Sequence, residues 1–316
     1  MKSILVTGPA GFIGSAFVKT FSERYPKTEI VGIDDFSTGK RESISKNITF
    51  YEGSITDQKL LRKIFSKHHP EYVFHFAALP RVAYSLKHPT DTTLVNIAGT
   101  VNLLEHSKDF GVKRFINSSS SAAYGEINKD KFKESFENLK PVSPYGLQKY
   151  TSEKFCKLFS DLFKLDTVSL RYFNVFGPGS LGDSPHATVI SAWLTALYFP
   201  KLKNSFIEGD GKQSKEYTYL DNAVEACILA MNATKPLNGD VFNIAHGEKR
   251  NLWAIKKLIE KYTNKKLILE ARPARAGDVR KSLADISKAK QKLGYKVLVN
   301  FEDGLKKTVE WYESLN

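Results

Sequence analysis

Only two cysteines, Cys156 and Cys227, occur in 316 residues. A disulfide scaffold or a zinc knuckle needs more, so neither is expected, and no metal site is read from the chain. Two unpaired thiols fit a reducing compartment, here the cytoplasm. Long apolar runs are also missing: no stretch of eighteen residues is apolar enough to predict a membrane span. Lys2 ahead of an apolar stretch has the outline of a signal peptide, but Gly8, Pro9, Gly11 and Gly14 break it. Acidic residues are outnumbered, 34 against 47 lysines and arginines, for a net charge of +13. The basic residues, among them Lys63, Lys67, Lys129, Lys131, Lys133, Lys256 and Lys257, are scattered and accompany no nucleic-acid recognition motif. No nucleic-acid partner is therefore expected, whereas a positive field does attract a phosphorylated small molecule.

What is present is a globular composition, 41% hydrophobic and 26% charged, without repeats or low-complexity linkers. At roughly 150 residues per domain the length fits about two domains. The first half alternates short apolar runs with amphipathic stretches. Strands are expected at Ser3–Thr7, Glu29–Ile33, Ile48–Tyr51, Tyr72–Phe76, Arg114–Asn117 and Thr167–Leu170. Helices are expected from Phe12, after the capping Asp57, around 92–110 and over 145–163. Near-continuous apolar strands separated by helices predict an α/β fold, a Rossmann-type doubly wound parallel sheet. Beyond Arg171 the pattern loosens. Helices are expected around 187–199, 220–232, 251–262, 285–293 and 301–312, with a strand at Val241–Ile244. The second unit thus reads as a smaller α/β domain interleaved with the first. Residues 1–173, with 216–244 returning to them, form the dinucleotide domain; 174–215 and 245–316 form the substrate domain.

Gly8-Pro9-Ala10-Gly11-Phe12-Ile13-Gly14 follows the first strand and opens a helix. Glycines there permit a tight turn and let backbone approach a pyrophosphate, while the helix N-terminus offers free N–H groups and the positive end of its dipole. Asp34 ends the second strand, twenty residues past Gly14. A carboxylate in that place accepts ribose hydroxyls and repels a 2′-phosphate, which favours NAD over NADP. Lys40 and Arg41 nearby pull the other way.

Ser143-Pro144-Tyr145-Gly146-Leu147-Gln148-Lys149 places Tyr145 and Lys149 four apart, on one helix face. Free tyrosine, with a pKa of about 10, is a poor base at neutral pH; bringing it near 7 takes roughly 4 kcal/mol. An ammonium beside it, together with the positive charge of a nicotinamide, works in that direction. Upstream, Asn117-Ser118-Ser119-Ser120-Ser121-Ala122-Ala123-Tyr124-Gly125 ends an apolar strand, where ligands sit in such sheets. A serine there can hydrogen-bond the substrate hydroxyl whose proton the tyrosine removes.

Glycine turn, Asp34, serine strand end and Tyr145/Lys149, in this order, resemble the extended short-chain dehydrogenase/reductase family. More narrowly they resemble its nucleotide-sugar epimerase/dehydratase branch and the UDP-hexose 4-epimerases. Asp34-Asp35-Phe36-Ser37-Thr38-Gly39, His75-Phe76-Ala77-Ala78-Leu79, Asn96-Ile97-Ala98-Gly99-Thr100, Arg171-Tyr172-Phe173-Asn174, Gly209-Asp210-Gly211 and Arg275-Ala276-Gly277-Asp278 continue the likeness, from about residue 3 to 310. The resemblance implies NAD as cofactor. It implies that NAD is held by Gly8, Gly11, Phe12, Ile13, Gly14, Asp34, Asp35, Ser37, Thr38, Gly39, Ser54, Ile55, Phe76, Ala77, Ala78, Asn96, Ser118, Tyr145, Lys149 and Tyr172. For a UDP-sugar it implies Ser120, Ser121, Tyr145, Asn174, Val189, Lys215, Tyr217, Arg275, Asp278 and Ser282. A homodimer through a four-helix interface, built from the helices at 92–110 and 145–163, is implied too. Two departures stand out. Lys215 replaces the family's usual arginine and is only a point charge toward phosphate. Ser54 stands where an aspartate usually meets adenine.

The branch's reactions start alike, by oxidation at C4, and diverge after the strand-end serine. Relatives that eliminate water resemble Thr-Asp-Glu there, an acid and base pair; this chain has Ser120, Ser121 and Ala122. The resemblance therefore points to epimerisation with Ser120, Tyr145 and Lys149 catalytic, Ser121 being the second choice for the serine. Ser282, four residues after Asp278, occupies the position that walls the sugar's C2 substituent in the family's epimerases. A small residue there admits an N-acetyl group, so UDP-GlcNAc/UDP-GalNAc is the expected pair, with UDP-Glc/UDP-Gal as weaker substrates. Other readings stay open at this point: an epimerase or dehydratase of UDP-glucuronate or dTDP/CDP-sugars, or a non-catalytic NAD-binding regulator.

Overall fold

The computed structural model describes all residues except Arg81, Asn128, Asp130, 183–187, 203–204, 274–281 and Asn316. The chain runs β1 (Ser3–Thr7), α1 (Phe12–Arg24), β2 (Glu29–Asp34), β3 (Thr49–Glu52), α2 (Gln58–His68), β4 (Tyr72–His75), α3 (Val82–Lys87), α4 (Pro89–Thr93), α5 (Thr100–Asp109) and β5 (Arg114–Ser120). It continues through α6 (Pro144–Phe163), β6 (Thr167–Tyr172), β7 (Val175–Phe176), α7 (Val189–Tyr198), β8 (Phe206–Glu208), β9 (Ser214–Glu216), β10 (Thr218–Tyr219) and α8 (Leu220–Asn232). Last come β11 (Asp240–Ile244), β12 (Lys249–Asn251), α9 (Leu252–Thr263), β13 (Glu270–Arg272), α10 (Ser287–Leu293) and α11 (Phe301–Ser314).

Seven strands form one parallel sheet in the order β11-β6-β5-β4-β1-β2-β3. Side chains alternate across it as the pleat requires. On β1, Ile4 and Val6 enter one apolar cluster with Phe17, Phe21 and Ala223, whereas Leu5 enters another with Leu61, Leu103 and Cys156. Helices α1 and α8 thus cover one face, and α2, α5 and α6 the other. The expected doubly wound parallel sheet is present. A third cluster joins Trp193, Leu194, Tyr217, Tyr219, Ile255, Ile259, Leu305 and Tyr312 apart from the sheet.

Strand order reverses between β1 and β4, which leaves a crevice at their C-terminal ends. Gly8 sits there at φ 73°, and a Cβ on it would lie 2.8 Å from the Ala77 nitrogen. Local structure departs from the expected elements mainly between β4 and β5. The helix expected around 92–110 begins at Pro89 and is interrupted by a π-helical turn over Leu94–Gly99. The short helix α3, six residues long, has too little periodicity to be foreseen.

At the end of β4, His75 lies buried between Thr7 Oγ1 at 2.8 Å and Thr100 Oγ1 at 2.9 Å. Burial, and secondarily the Lys149 charge, pushes its pKa down to about 3. The unfolded chain binds this proton below about pH 6.5 while the native ring refuses it, so the native state loses stability as pH falls from there toward 3. His75→Asn removes the effect. In urea unfolding, the stability difference between wild type and variant should change by about 1.4 kcal/mol per pH unit between about pH 6 and pH 4. Parallel profiles would show that the buried ring takes up the proton.

Candidate active site

A cavity of about 1480 Å³ opens along the C-terminal ends of the strands. Pockets for a single small ligand hold roughly 300–1,000 Å³, so this one has room for two. Its first end is built by the glycine turn. A Cβ on Gly14 would stand 2.1 Å from the Gly8 carbonyl oxygen, and one on Gly39 2.7 Å from the Ala10 carbonyl carbon. The turn, the start of α1 and the loop after β2 therefore close on one another only without side chains. Asp34 closes the same end: its Oδ2 accepts from Ala10 N and its Oδ1 from Phe36 N, both at 2.9 Å. Burial raises its carboxyl above the usual range, against the pull of those N–H groups. Arg41 is drawn aside, its guanidinium 4.3 Å from the centroid of the Phe36 ring and 2.7 Å from a Glu52 carboxylate oxygen.

In the middle, β5 and α6 meet. Ser143 caps α6 by accepting from Gly146 N at 3.1 Å, and Pro144 sits in its first turn. Gly146 is required: a Cβ there would come within 2.5 Å of the Ala122 carbonyl oxygen. That approach sets Tyr145 beside Ser120, which pulls its phenol pKa down. Ser85 on α3 accepts from Tyr145 N at 3.1 Å and fixes the helix start from the other side.

Lys149, one turn on, is buried and donates to the Ser118 carbonyl at 2.8 Å, its Nζ 6.0 Å from the Tyr145 ring centroid. Burial pushes its pKa down to about 8, with Glu153 pulling it back up. Burial likewise pushes the Tyr145 phenol up to about 12, with Ser120 opposing. Among the protein's own groups, desolvation outweighs Ser120 and favours the neutral phenol of Tyr145. Beneath them, Glu153 pairs with Arg171 and accepts from Ser119, and the Arg171 guanidinium lies 4.3 Å from the Tyr124 ring centroid.

The second end is lined by Asn174, Val189, Lys215, Tyr217 and Ser282, with Trp193, Phe206, Glu208, Gln213, Leu252 and Trp311. Asn174 adopts φ 36° and donates from Nδ2 to the Glu216 carbonyl at 2.7 Å. Ser282 is buried and donates from its backbone N–H to the Ser214 carbonyl at 3.1 Å. Of the residues expected to hold ligands, all those described line the cavity except Ser54 and Asn96. The Ser54 hydroxyl accepts from Thr56 within its own turn. The Asn96 side chain accepts from Leu79 N and donates to Gln148 Oε1, which ties the loop after β4 to α6. Arg275 and Asp278 lie outside the described residues. Val82, Ala83, Tyr84 and Lys87 of α3 also line the cavity, and no motif in the sequence marks them. Among the described residues there is no cluster able to hold a metal and no helix long and apolar enough to cross a membrane.

A glycine turn between β1 and α1, a carboxylate ending β2 and a Tyr/Lys pair facing a strand-end serine define a short-chain dehydrogenase/reductase. Comparison with known proteins narrows this. The pattern of the NAD dependent epimerase/dehydratase family matches residues 4–245. The chain is also similar to solved structures along its whole length. One is a UDP-glucose 4-epimerase from Thermotoga maritima with UDP-glucose: 39% identity, TM-score 0.93, 99% of each chain covered. Another is a UDP-N-acetylglucosamine 4-epimerase from Methanobrevibacter ruminantium in complex with UDP-N-acetylmuramic acid: 35% identity, TM-score 0.91, covering 100% of this chain and 99% of that one. A third is a UDP-glucuronic acid 4-epimerase from Bacillus cereus with UDP-glucuronic acid and NAD: 29% identity, TM-score 0.89, covering 99% of this chain and 100% of that one. The chain belongs to the NAD dependent epimerase/dehydratase family, and its cofactor is NAD. The side-chain-free cradle of Gly8, Gly14 and Gly39, with Asp34 beside it, fits that dinucleotide.

Proposed function

We propose that the protein is an NAD-dependent 4-epimerase of UDP-hexoses, with UDP-GlcNAc and UDP-GalNAc as its main pair and UDP-Glc and UDP-Gal as weaker substrates. One observation carries the choice of epimerisation. The strand end facing Tyr145 presents Ser120, Ser121 and Ala122, while among the described residues the acids lining the cavity, Asp34, Asp35 and Glu208, come from the end of β2 and from β8. Elimination of water needs an acid and a base at the sugar; inversion at C4 does not.

In this reading Tyr145 takes the proton from the C4 hydroxyl, and Ser120 holds that hydroxyl by a hydrogen bond. Lys149 keeps a positive charge under the pair. NAD, when bound, supplies the two-electron acceptor, a positive charge that favours the phenolate, and the donor for the return step. Between the two half-reactions the 4-keto sugar turns over while Lys215, Asn174 and Tyr217 keep hold of its nucleotide. Tyr145 then returns the proton. The cluster formed by α7, α9 and α11 is the substrate domain, and the sheet with its flanking helices is the NAD domain. Leu158, Leu162 and Phe163 are exposed along α6, which supports reading that helix as a homodimer contact. Two free buried cysteines support a cytoplasmic setting.

The substrate is tested by incubating the purified protein with UDP-Glc, UDP-GlcNAc and UDP-GlcA and identifying the products by NMR. UDP-GalNAc from UDP-GlcNAc is the expected result; turnover of UDP-GlcA alone, or a dehydrated product, would overturn the reading. Ser282 is buried, small and lines the cavity, as a wall that admits an acetamido group should be. Ser282→Tyr should abolish activity on the acetylated sugars and retain it on UDP-Glc. An equal fall for both classes would show that Ser282 only packs.

A further inference from the structure

Glu216 has no part in the chemistry above, yet two segments of the substrate side meet on its side chain. It lies on β9 between Lys215 and Tyr217, both cavity-lining, and is itself fully buried. Its carboxylate accepts from the backbone N–H of Gly247 and from Ala284 N at 2.6 Å. Its own carbonyl accepts from Asn174 Nδ2 at 2.7 Å. Two residues before Ala284, Ser282 is bonded back to Ser214 on the same strand. A buried carboxylate is expensive unless it is hydrogen-bonded. Here main-chain N–H groups from two separate segments satisfy it, and among the described residues no lysine or arginine forms an ion pair with it.

We propose that Glu216 is a positioning residue: its carboxylate fastens the turn at 246–248 and the segment at 282–284 to the Lys215 strand. The nucleotide-sugar side of the cavity is thereby assembled around one buried carboxyl group. The proposal rests on the reading that Lys215 and Ser282 face the UDP-sugar.

Glu216→Gln keeps the size but turns one acceptor into a donor aimed at N–H groups. In the NAD-loaded enzyme, calorimetry with UDP should show affinity lowered about tenfold or more. KM for the UDP-sugar should rise in parallel, with kcat within about twofold and bound NAD unchanged. Amide exchange should accelerate at 246–248 and 282–284 together and stay the same in the sheet. Glu216→Asp, which keeps the carboxyl group, should show the same pattern more weakly and serves if the glutamine variant does not fold. Unchanged exchange in both segments, or a uniform rise across the molecule without a selective loss of UDP affinity, would overturn the proposal. A wild-type enzyme that binds neither UDP nor any UDP-sugar would instead overturn the substrate reading, and the exchange pattern would still decide whether Glu216 fastens the two segments.

Discussion

Tyr145→Phe is expected to lower turnover of the UDP-sugar by about 10²–10⁴-fold, the range for loss of a general base, while NAD stays bound. The substitution removes one oxygen and leaves the ring. The start of α6 is held by groups it does not touch: the Ser143 cap, and Ser85 accepting from the Tyr145 backbone. The dinucleotide cradle is made by Gly8, Gly14, Gly39 and Asp34 on other elements. Fold and cofactor content should therefore survive, and the defect should fall on the chemical step. Nicotinamide content by absorbance, with turnover by NMR, separates the two effects. A variant retaining more than about a tenth of wild-type rate would remove the tyrosine from the role of base.

Gly14→Ala should strip the protein of NAD. The added Cβ would stand 2.1 Å from the Gly8 carbonyl oxygen and 2.9 Å from its carbonyl carbon. These are backbone atoms, and they cannot turn away as a long side chain can. Either α1 moves off β1 or the turn opens, and both misplace the N–H groups at the helix start that receive a pyrophosphate. Overpacking of this kind costs about 1–3 kcal/mol or more, so NAD affinity should fall by roughly a hundredfold. Calorimetry with NAD on the stripped protein measures it. Affinity within about threefold of wild type would mean that the turn has slack which the structure does not show.

The sheet was legible in the sequence because its strands carry their own signal. Five residues from Ser3 to Thr7, all buried, cannot be a surface loop, and the glycines that follow can only serve a turn. Tyr145 and Lys149 were legible because helical spacing puts residues four apart on one face. The short helix α3 was not. Six residues hold too few turns for a period, and its role depends on Ser85 reaching α6, sixty residues away in sequence. Asn96 has partners that its local sequence does not reveal. Its place in a family motif marks it for the cofactor, and its amide also binds Leu79 and Gln148, far away in sequence.

Local patterns and spacings by themselves determined the parallel α/β architecture, the glycine turn and the Tyr/Lys pair, since each depends on residues a few positions apart. The ionisation of Tyr145 was decided only by the tertiary structure. Spacing placed a lysine near the phenol, but desolvation raises the Tyr145 pKa and favours the neutral phenol until a further positive charge is brought in. The role of Glu216 was decided there as well. In the sequence it is a glutamate in a mixed strand, and its partners Gly247 and Ala284 lie 31 and 68 residues away. Desolvation and long-range hydrogen bonds depend on what surrounds a side chain in space, and no pattern of neighbours along the chain encodes that.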